Sequence, residues 1–379
     1  MCACVFSATV SAAGPPTIGA ATRAERAPAA VPATHGSAID VPVLAYYYIW
    51  YDATTWNRAK SDLPLAGKYS SDQRSVMEGQ VTAAKAAGID GFIVSWKHTD
   101  KLNRRLAMLT DIAEAHDFTL VVIYQGLDFE REPLPVQRVI DDLDYFIDTF
   151  VDRFAFQVFE KPAVILSGSW RFSADDVAAI GAERRNDILL LGTEKDVEGI
   201  ERLASVTDGN AYYWSSVNPA SQGKYQERLD AMGEAVHESG GVWIPPMAVG
   251  FDARLVGGTS VVERLDGVTL RLEYAAAMAS SPDALGIISW NEFSENSHIE
   301  PSRKYGTLYL EELAELIGGQ PPDMTVAGTD VFDSSEPGGQ GSGMAQGIAL
   351  GSMVLIVLAS VGVIALRRRR QSRQWEHTA

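Results

Sequence analysis

The chain has 379 residues, 46% of them hydrophobic, enough to bury one barrel-sized core or two smaller ones. Its formal net charge of -17 argues against nucleic acid as a partner, since such binders set lysine and arginine against phosphate. Both cysteines, Cys2 and Cys4, lie at the very start, which excludes a disulfide, a thiol nucleophile and a cysteine-based zinc site from the folded body.

In chain order, the N-terminus is short and apolar and ends in small residues (M-C-A-C-V-F-S-A-T-V-S-A-A-G). It resembles a secretory signal without the usual basic start. The Ala- and Pro-rich stretch after it reads as a disordered leader, so residues 1–37 are set apart from the fold. From Val41 onward, strand-like and helix-like segments alternate. Strands are expected at Val43 to Trp50, Gly91 to Trp96, Thr119 to Tyr124 and Ala163 to Ser167. Four more follow at Ile188 to Gly192, Gly209 to Trp214, Val242 to Ala248 and Leu285 to Trp290. Helical apolar spacing fills the intervals: Gln73 to Ala87 stopping at Gly88, Leu102 to His116, Val136 to Phe150, and a helix capped by Ser173 with Asp176 three residues on. Val197 to Ala204, Tyr225 to Glu238, Thr269 to Ser280 and Tyr305 to Ile317 complete the set.

Eight such units over residues 39–317 predict an α/β protein of the (β/α)8 TIM-barrel type. No Gly-rich phosphate fingerprint follows the first strand, which counts against an open dinucleotide-binding sheet. Past the barrel, residues 318–346 are rich in Gly, Pro, Ser and Asp and read as a tether. Gly347 to Leu366 is an unbroken apolar run, about 30 Å long as a helix and so matched to one bilayer core. Arg367 to Arg370 follow it, and the basic tail over 367–379 is expected to stay cytoplasmic. The expectation is a single-pass membrane protein with its barrel outside the cell.

Barrel chemistry sits at the C-terminal strand ends. Those ends read Tyr47 to Tyr51, Trp96 to His98, Tyr124-Gln125, Ser169-Trp170, Glu194, Tyr212 to Trp214, Phe251 to Arg254 and Asn291 to Glu295. Aromatic faces suit pyranose rings and the interspersed polar groups suit hydroxyls, so the pattern points to a saccharide site. Glu292 and Glu295 are the candidate catalytic pair. On a helical turn their Cβ atoms would lie about 5–6 Å apart, and two neighbouring carboxyls separate into one protonated acid and one ionised base. His98, His116, His237 and His298 lack metal-ligand spacing, and no nucleophile elbow surrounds Ser167-Gly168-Ser169, so no metal or cofactor is expected. Asp141, Asp142 and Asp144 read as a solvated helix face.

The segment W-N-E-F-S-E-N-S-H-I-E-P (Trp290 to Pro301) resembles the last-strand signature of glycoside hydrolase family 99, F-N-E-W-H-E-G-T-Q-I-E-P. L-A-G-K-Y-S-S-D, A-A-G-I-D-G-F-I-V-S-W, Lys161-Pro162, D-G-N-A-Y-Y-W and V-G-F-D-A-R are similar to other family motifs in the same order. The resemblance implies a (β/α)8 endo-acting, retaining α-mannosidase that needs no metal. It implies that Glu292 takes the proton of the sugar 2-hydroxyl, which attacks the anomeric carbon to give a 1,2-anhydro sugar. Glu295 would protonate the leaving oxygen and then activate water. Ser294, His298 and Gln125 stand where the family carries His, Gln and Glu.

Together these readings assign Tyr47, Trp50, Trp96, Gln125, Tyr213, Arg254, Asn291 and His298 to substrate binding. The expected substrate is a polysaccharide or oligosaccharide, mannan-like or a cell-envelope glycan. A cell-surface glycan transferase or trimming enzyme, and a catalytically silent glycan-binding ectodomain, stay open as alternatives.

Overall fold

The computed structural model describes residues 39–320. The expected leader, the apolar run 347–366, the basic tail 367–379 and all but the first residues of the 318–346 tether lie outside the described residues.

Strand β1 (Val43–Tyr48) is followed by a short helix α1 (Ala53–Trp56), helix α2 (Arg74–Ala86) and strand β2 (Gly91–Trp96). Helix α3 (Asp100–Ala115), β3 (Thr119–Gln125), α4 (Val136–Phe150) and β4 (Ala163–Ser167) come next, then α5 (Ala174–Gly181) and β5 (Leu189–Leu191). The chain continues through α6 (Val197–Leu203), β6 (Gly209–Ala211), α7 (Tyr225–Glu238), β7 (Val242–Ile244), β8 (Pro246–Ala248), β9 (Phe251–Asp252) and β10 (Val261–Val262). It ends with α8 (Val268–Ala279), β11 (Leu285–Ile288) and α9 (Leu308–Ile317).

Seven strands pair in the order β5-β4-β3-β2-β1-β11-β8, all parallel. The two edges are then brought together. β6 pairs with β7 in parallel, Gly192 beside β5 exchanges backbone bonds with Gly209 and Ala211 at 2.9 Å, and Gly286 N–H reaches Pro245 at 3.0 Å. The result is a parallel sheet curled on itself with helices outside, TIM-barrel-like. A parallel sheet buried on both faces needs apolar residues at consecutive positions, and the first five strands consist of V-L-A-Y-Y-Y, G-F-I-V-S-W, T-L-V-V-I-Y-Q, A-V-I-L-S and L-L-L.

Alternation along each strand sorts these residues between two cores. Val43, Ala45, Tyr47, Phe92, Val94, Trp96 and Tyr124 pack towards the helices, whereas Leu44, Tyr46, Tyr48, Ile93, Val121, Ile123 and Ile165 fill the interior. Gly88, at φ 91°, lets the chain leave α2 in the left-handed conformation, and Ser173 with Asp176 forms the expected reciprocal cap on α5.

Three expectations change. The seventh strand is broken at Pro245, which has no N–H to give the ladder. The interval between Ala248 and Thr269, to which the sequence assigned no element, contains the antiparallel pair β9–β10. Asp142 is not solvated: it is buried on α4, accepts the Tyr124 hydroxyl at 2.8 Å and pairs with Arg138 at 2.7 Å. Among the described residues no helix is long and apolar enough to cross a membrane.

Candidate active site

β11 stops at Ile288, two residues earlier than its apolar run suggests, and Ser289 to Pro301 return over its end as a closed loop. Ser289 N–H donates to Ser297 at 2.7 Å, Ile299 N–H returns to Ser289 at 2.8 Å, and Glu300 N–H to Trp290 at 2.8 Å. Trp290 N–H makes the last main-chain rung to Tyr46, at 2.8 Å. The Asn291 side chain then supplies the next rungs itself: Oδ1 accepts from Tyr48 N–H at 2.9 Å and Nδ2 donates to Tyr48 O at 3.1 Å. An amide thus imitates a strand residue and frees the main chain to turn. Glu292 and Glu295 sit at that turn, which spans 293–296.

Both carboxyls are almost wholly buried, at 2% and 3% exposure. Burial raises the pKa of Glu292, but Ser294 N–H donates to its Oε1 at 2.8 Å and the field of Lys60 also favours the ionised form. Glu295 is pushed well above the usual carboxylate range by burial first and then by the charge of Glu292; the field of Arg131 opposes this only in part. No hydrogen bond reaches the Glu295 carboxyl among the described residues. The pair therefore divides into a proton-holding Glu295 and a more readily ionised Glu292.

Tyr213 lies within the field of both glutamates. Its hydroxyl lies 2.5 Å from that of Tyr48, and both phenols are raised by burial and by the fields of the two glutamates. Trp50 stacks on Tyr48 at 4.4 Å between centroids. Gln125 ends β3 on the interior side and donates to Ser95 Oγ at 2.7 Å.

Other expected contacts lie elsewhere. Tyr47 faces the helix layer, donating to Gln80 Oε1 at 2.5 Å, because odd positions of β1 point outward. Trp96 is likewise turned outward, with its Nε1 on Asn103 at 3.1 Å and its ring against Tyr145 and Phe146. Arg254 is exposed and clasped by Asp252 at 2.5 Å. His298 is a buried strut stacked on Phe293 at 4.3 Å between centroids, between Asp62 at 3.4 Å and Arg264. Burial, reinforced by the Arg264 charge, drives its pKa down to about 3, so it stays neutral. Asn291 is fully committed to Tyr48 and, through Nδ2, to Tyr69 Oη at 3.3 Å.

Several residues of the mouth carry no sequence signature. Lys60 donates to Thr55 O at 2.9 Å within range of Glu292, and Arg131 acts on Glu295 from the loop after β3. Lys195, following Glu194 at the end of β5, lies 3.9 Å from the Trp170 ring centroid and 5.2 Å from that of Trp214. Glu194 itself is buried and held by Ser169 at 2.5 Å and Arg202 at 3.3 Å, so it braces the wall. Among the described residues no group of three His, Cys, Asp or Glu side chains could hold a metal ion.

No family model matches the chain. A glycoprotein endo-alpha-1,2-mannosidase of Rattus norvegicus is 22% identical over 276 residues, covering 65% of this chain and 59% of its own length. A glycoprotein endo-alpha-1,2-mannosidase-like protein of Danio rerio is 23% identical over 286 residues, 67% of this chain and 62% of its own. The chain therefore spans about three fifths of the curated relatives it matches. The solved GH99 endo-alpha-mannosidase of Bacteroides thetaiotaomicron superposes with a TM-score of 0.62 at 18% identity, covering 72% of this chain and 95% of that one. The chain is similar to glycoside hydrolase family 99 in sequence and in fold. The stretch that carries the family likeness, Trp290 to Pro301, is the same one that builds the buried glutamate pair.

Proposed function

We propose that this chain is a glycoside hydrolase of the family 99 endo-α-mannosidase type, built on a (β/α)8 barrel and cutting within mannose-containing glycans. The observation that carries the reading is the buried Glu292–Glu295 pair at the C-terminal edge of a parallel sheet, in which the charge of Glu292 helps hold the proton on Glu295. Glu292, with Ser294 N–H favouring its carboxylate, is the base that takes the proton from the sugar 2-hydroxyl. The freed oxygen attacks the anomeric carbon as the glycosidic bond breaks, giving a 1,2-anhydro sugar. Glu295, holding its proton, delivers it to the leaving oxygen. In the second step Glu295 takes a proton from water, the water oxygen attacks the anomeric carbon, and Glu292 returns its proton to O2. Two inversions retain the anomeric configuration. This route, taken from the family resemblance, differs from the common scheme in which a carboxylate is itself the nucleophile.

The apolar run 347–366 followed by four arginines supports a barrel tethered outside the cell by a C-terminal span, with surface glycan as substrate. Product analysis on α-mannans and cell-envelope glycans tests the proposal. Internal cleavage with retained configuration is expected, abolished in E292Q and E295Q. A wild-type protein that binds such glycans and never cuts them rules it out.

A further inference from the structure

Two cations at this mouth have no counter-ion among the described residues. Arg131 and Lys195 are both half-buried, yet neither side chain makes an ion pair or hydrogen bond among the described residues. Acids are not scarce, since the chain has 49 against 32 basic residues. Neighbouring arginines have found theirs: Arg171 pairs with Glu132 at 2.5 Å and Arg202 with Glu194 at 3.3 Å. Arg131 is held at φ 67°, in the left-handed region that L side chains seldom adopt. Its Nη1 is out of reach of solvent with nothing to accept from it. A buried donor of that kind calls for a missing acceptor.

Lys195 stands over two indoles, those of Trp170 and Trp214, which attract the ammonium without using its three N–H donors. The loops are joined directly, because Glu132, next to Arg131, holds Arg171, next to Trp170. The two cations repel each other: after burial, the charge of Arg131 is the largest influence pushing the Lys195 amine down, to about 8. Glu194 and Asp196 oppose that shift, but Glu194 is occupied by Ser169 and Arg202, and Asp196 caps α6 through Gly199 N–H. Arg131 also lies within the electrostatic field of Glu295.

We propose that Arg131 and Lys195 form an anion-binding end of the cleft, so that the glycan recognised here carries a carboxylate, phosphate or sulfate substituent. Trp170 and Trp214 stack on the sugar bearing it. The guanidinium supplies a fork for two oxygens and the ammonium a point charge. The proposal rests on the reading of the mouth as a glycan site and narrows the substrate class.

Calorimetry on the full chain compares mannose 6-phosphate with mannose, and a phosphorylated α-mannan with the same polymer stripped of phosphate. About tenfold tighter binding of each phosphorylated member is expected, equivalent to one good charged contact, and it weakens with added salt. K195M and R131Q, checked for folding by circular dichroism, each bring the ratio towards one. Equal affinity for phosphorylated and plain ligands, or an unchanged ratio in both variants, overturns the proposal. So does inorganic phosphate that binds as tightly as the phosphorylated sugar, since that is an anion site with no glycan recognition. If the phosphate preference holds but no polymer is cut, the glycosidase reading alone fails. If polymers are cut with equal affinities, the anion site alone fails.

Discussion

The two sides of the mouth use polar residues in opposite ways. On the β11–β1 side many polar side chains are tied to one another, although Tyr46 Oη, Trp290 Nε1 and His298 Nε2 have no hydrogen-bond partner among the described residues. Asn291 is tied to Tyr48 and Tyr69, Tyr69 donates to Glu300 at 2.9 Å, Gln80 donates to Glu300 at 2.8 Å, and Asp62 receives Lys304 N–H at 3.1 Å. On the β3–β6 side, among the described residues, the Gln125 side chain makes one bond, while those of Arg131 and Lys195 make none. One wall ties Asn291 and Glu300 beneath the glutamates, while the other presents two cations that have no side-chain partner among the described residues, beside a braced Glu194. Density of polar residues in the sequence therefore marks the scaffold of this site as much as its contact surface.

The largest test removes the groups that the braced wall exists to hold. E292Q and E295Q are each expected to lose about 10²–10⁴-fold in turnover, with no loss of stability, since a buried carboxyl is replaced by a neutral isostere. Wild-type rate against pH should be bell-shaped, with both limbs displaced upward from ordinary carboxylates because both pKa values are raised. Denaturant titration with unimpaired turnover in either variant would detach the pair from the chemistry.

Next comes the strut. N291A deletes the amide that closes the β11–β1 ladder and leaves Tyr48 N–H and C=O unpaired in the core. A loss of about 2–4 kcal/mol is expected in urea unfolding, larger than for Q125A on the open wall. Equal losses would erase the distinction between the walls.

Glu300 gives a smaller, pH-dependent signal. Burial raises its pKa to about 7, against the two donors that lower it. The folded state thus holds a proton that the unfolded chain has released, and stability falls as pH rises from the unfolded value near 4.5 through about 7. The slope is at most about 1.4 kcal/mol per pH unit. E300Q should flatten it in melting curves taken between pH 5 and 8; an unaltered slope places the titration elsewhere. Smallest is R254A, whose side chain is exposed and held only by Asp252. It should change turnover by no more than about twofold and leave the melting midpoint in place. A large loss would restore Arg254 to the site.

The frame was legible because its signals are periodic. Helices α4 and α7 lie where apolar spacing put them, and the Ser173–Asp176 cap and Gly88 stop are local chemistry that needs no tertiary context. Facing was not legible. Tyr46, Tyr47 and Tyr48 are identical as letters, and only the pairing of β1 with β11 decides that Tyr47 faces the helices while its neighbours face the interior. Trp96 faces the helix layer for the same reason. His298 sits inside the motif yet serves packing, a distinction that needs Phe293, Asp62 and Arg264 in space. Arg131 and Lys195 lie in connecting loops with no period, so sequence spacing says nothing of them. β9–β10 has too few rungs to show alternation.

That hairpin has one further attachment. Asp252 N–H, on β9, donates to the carbonyl of Glu295 at 2.7 Å. Around it lie the exposed side chains of Leu255, Val261 and Leu265. The Glu295 main chain is thus moored to a surface flap. Whatever takes hold of the flap, a long polymer threading past included, holds the same peptide from which the buried Glu295 carboxyl hangs.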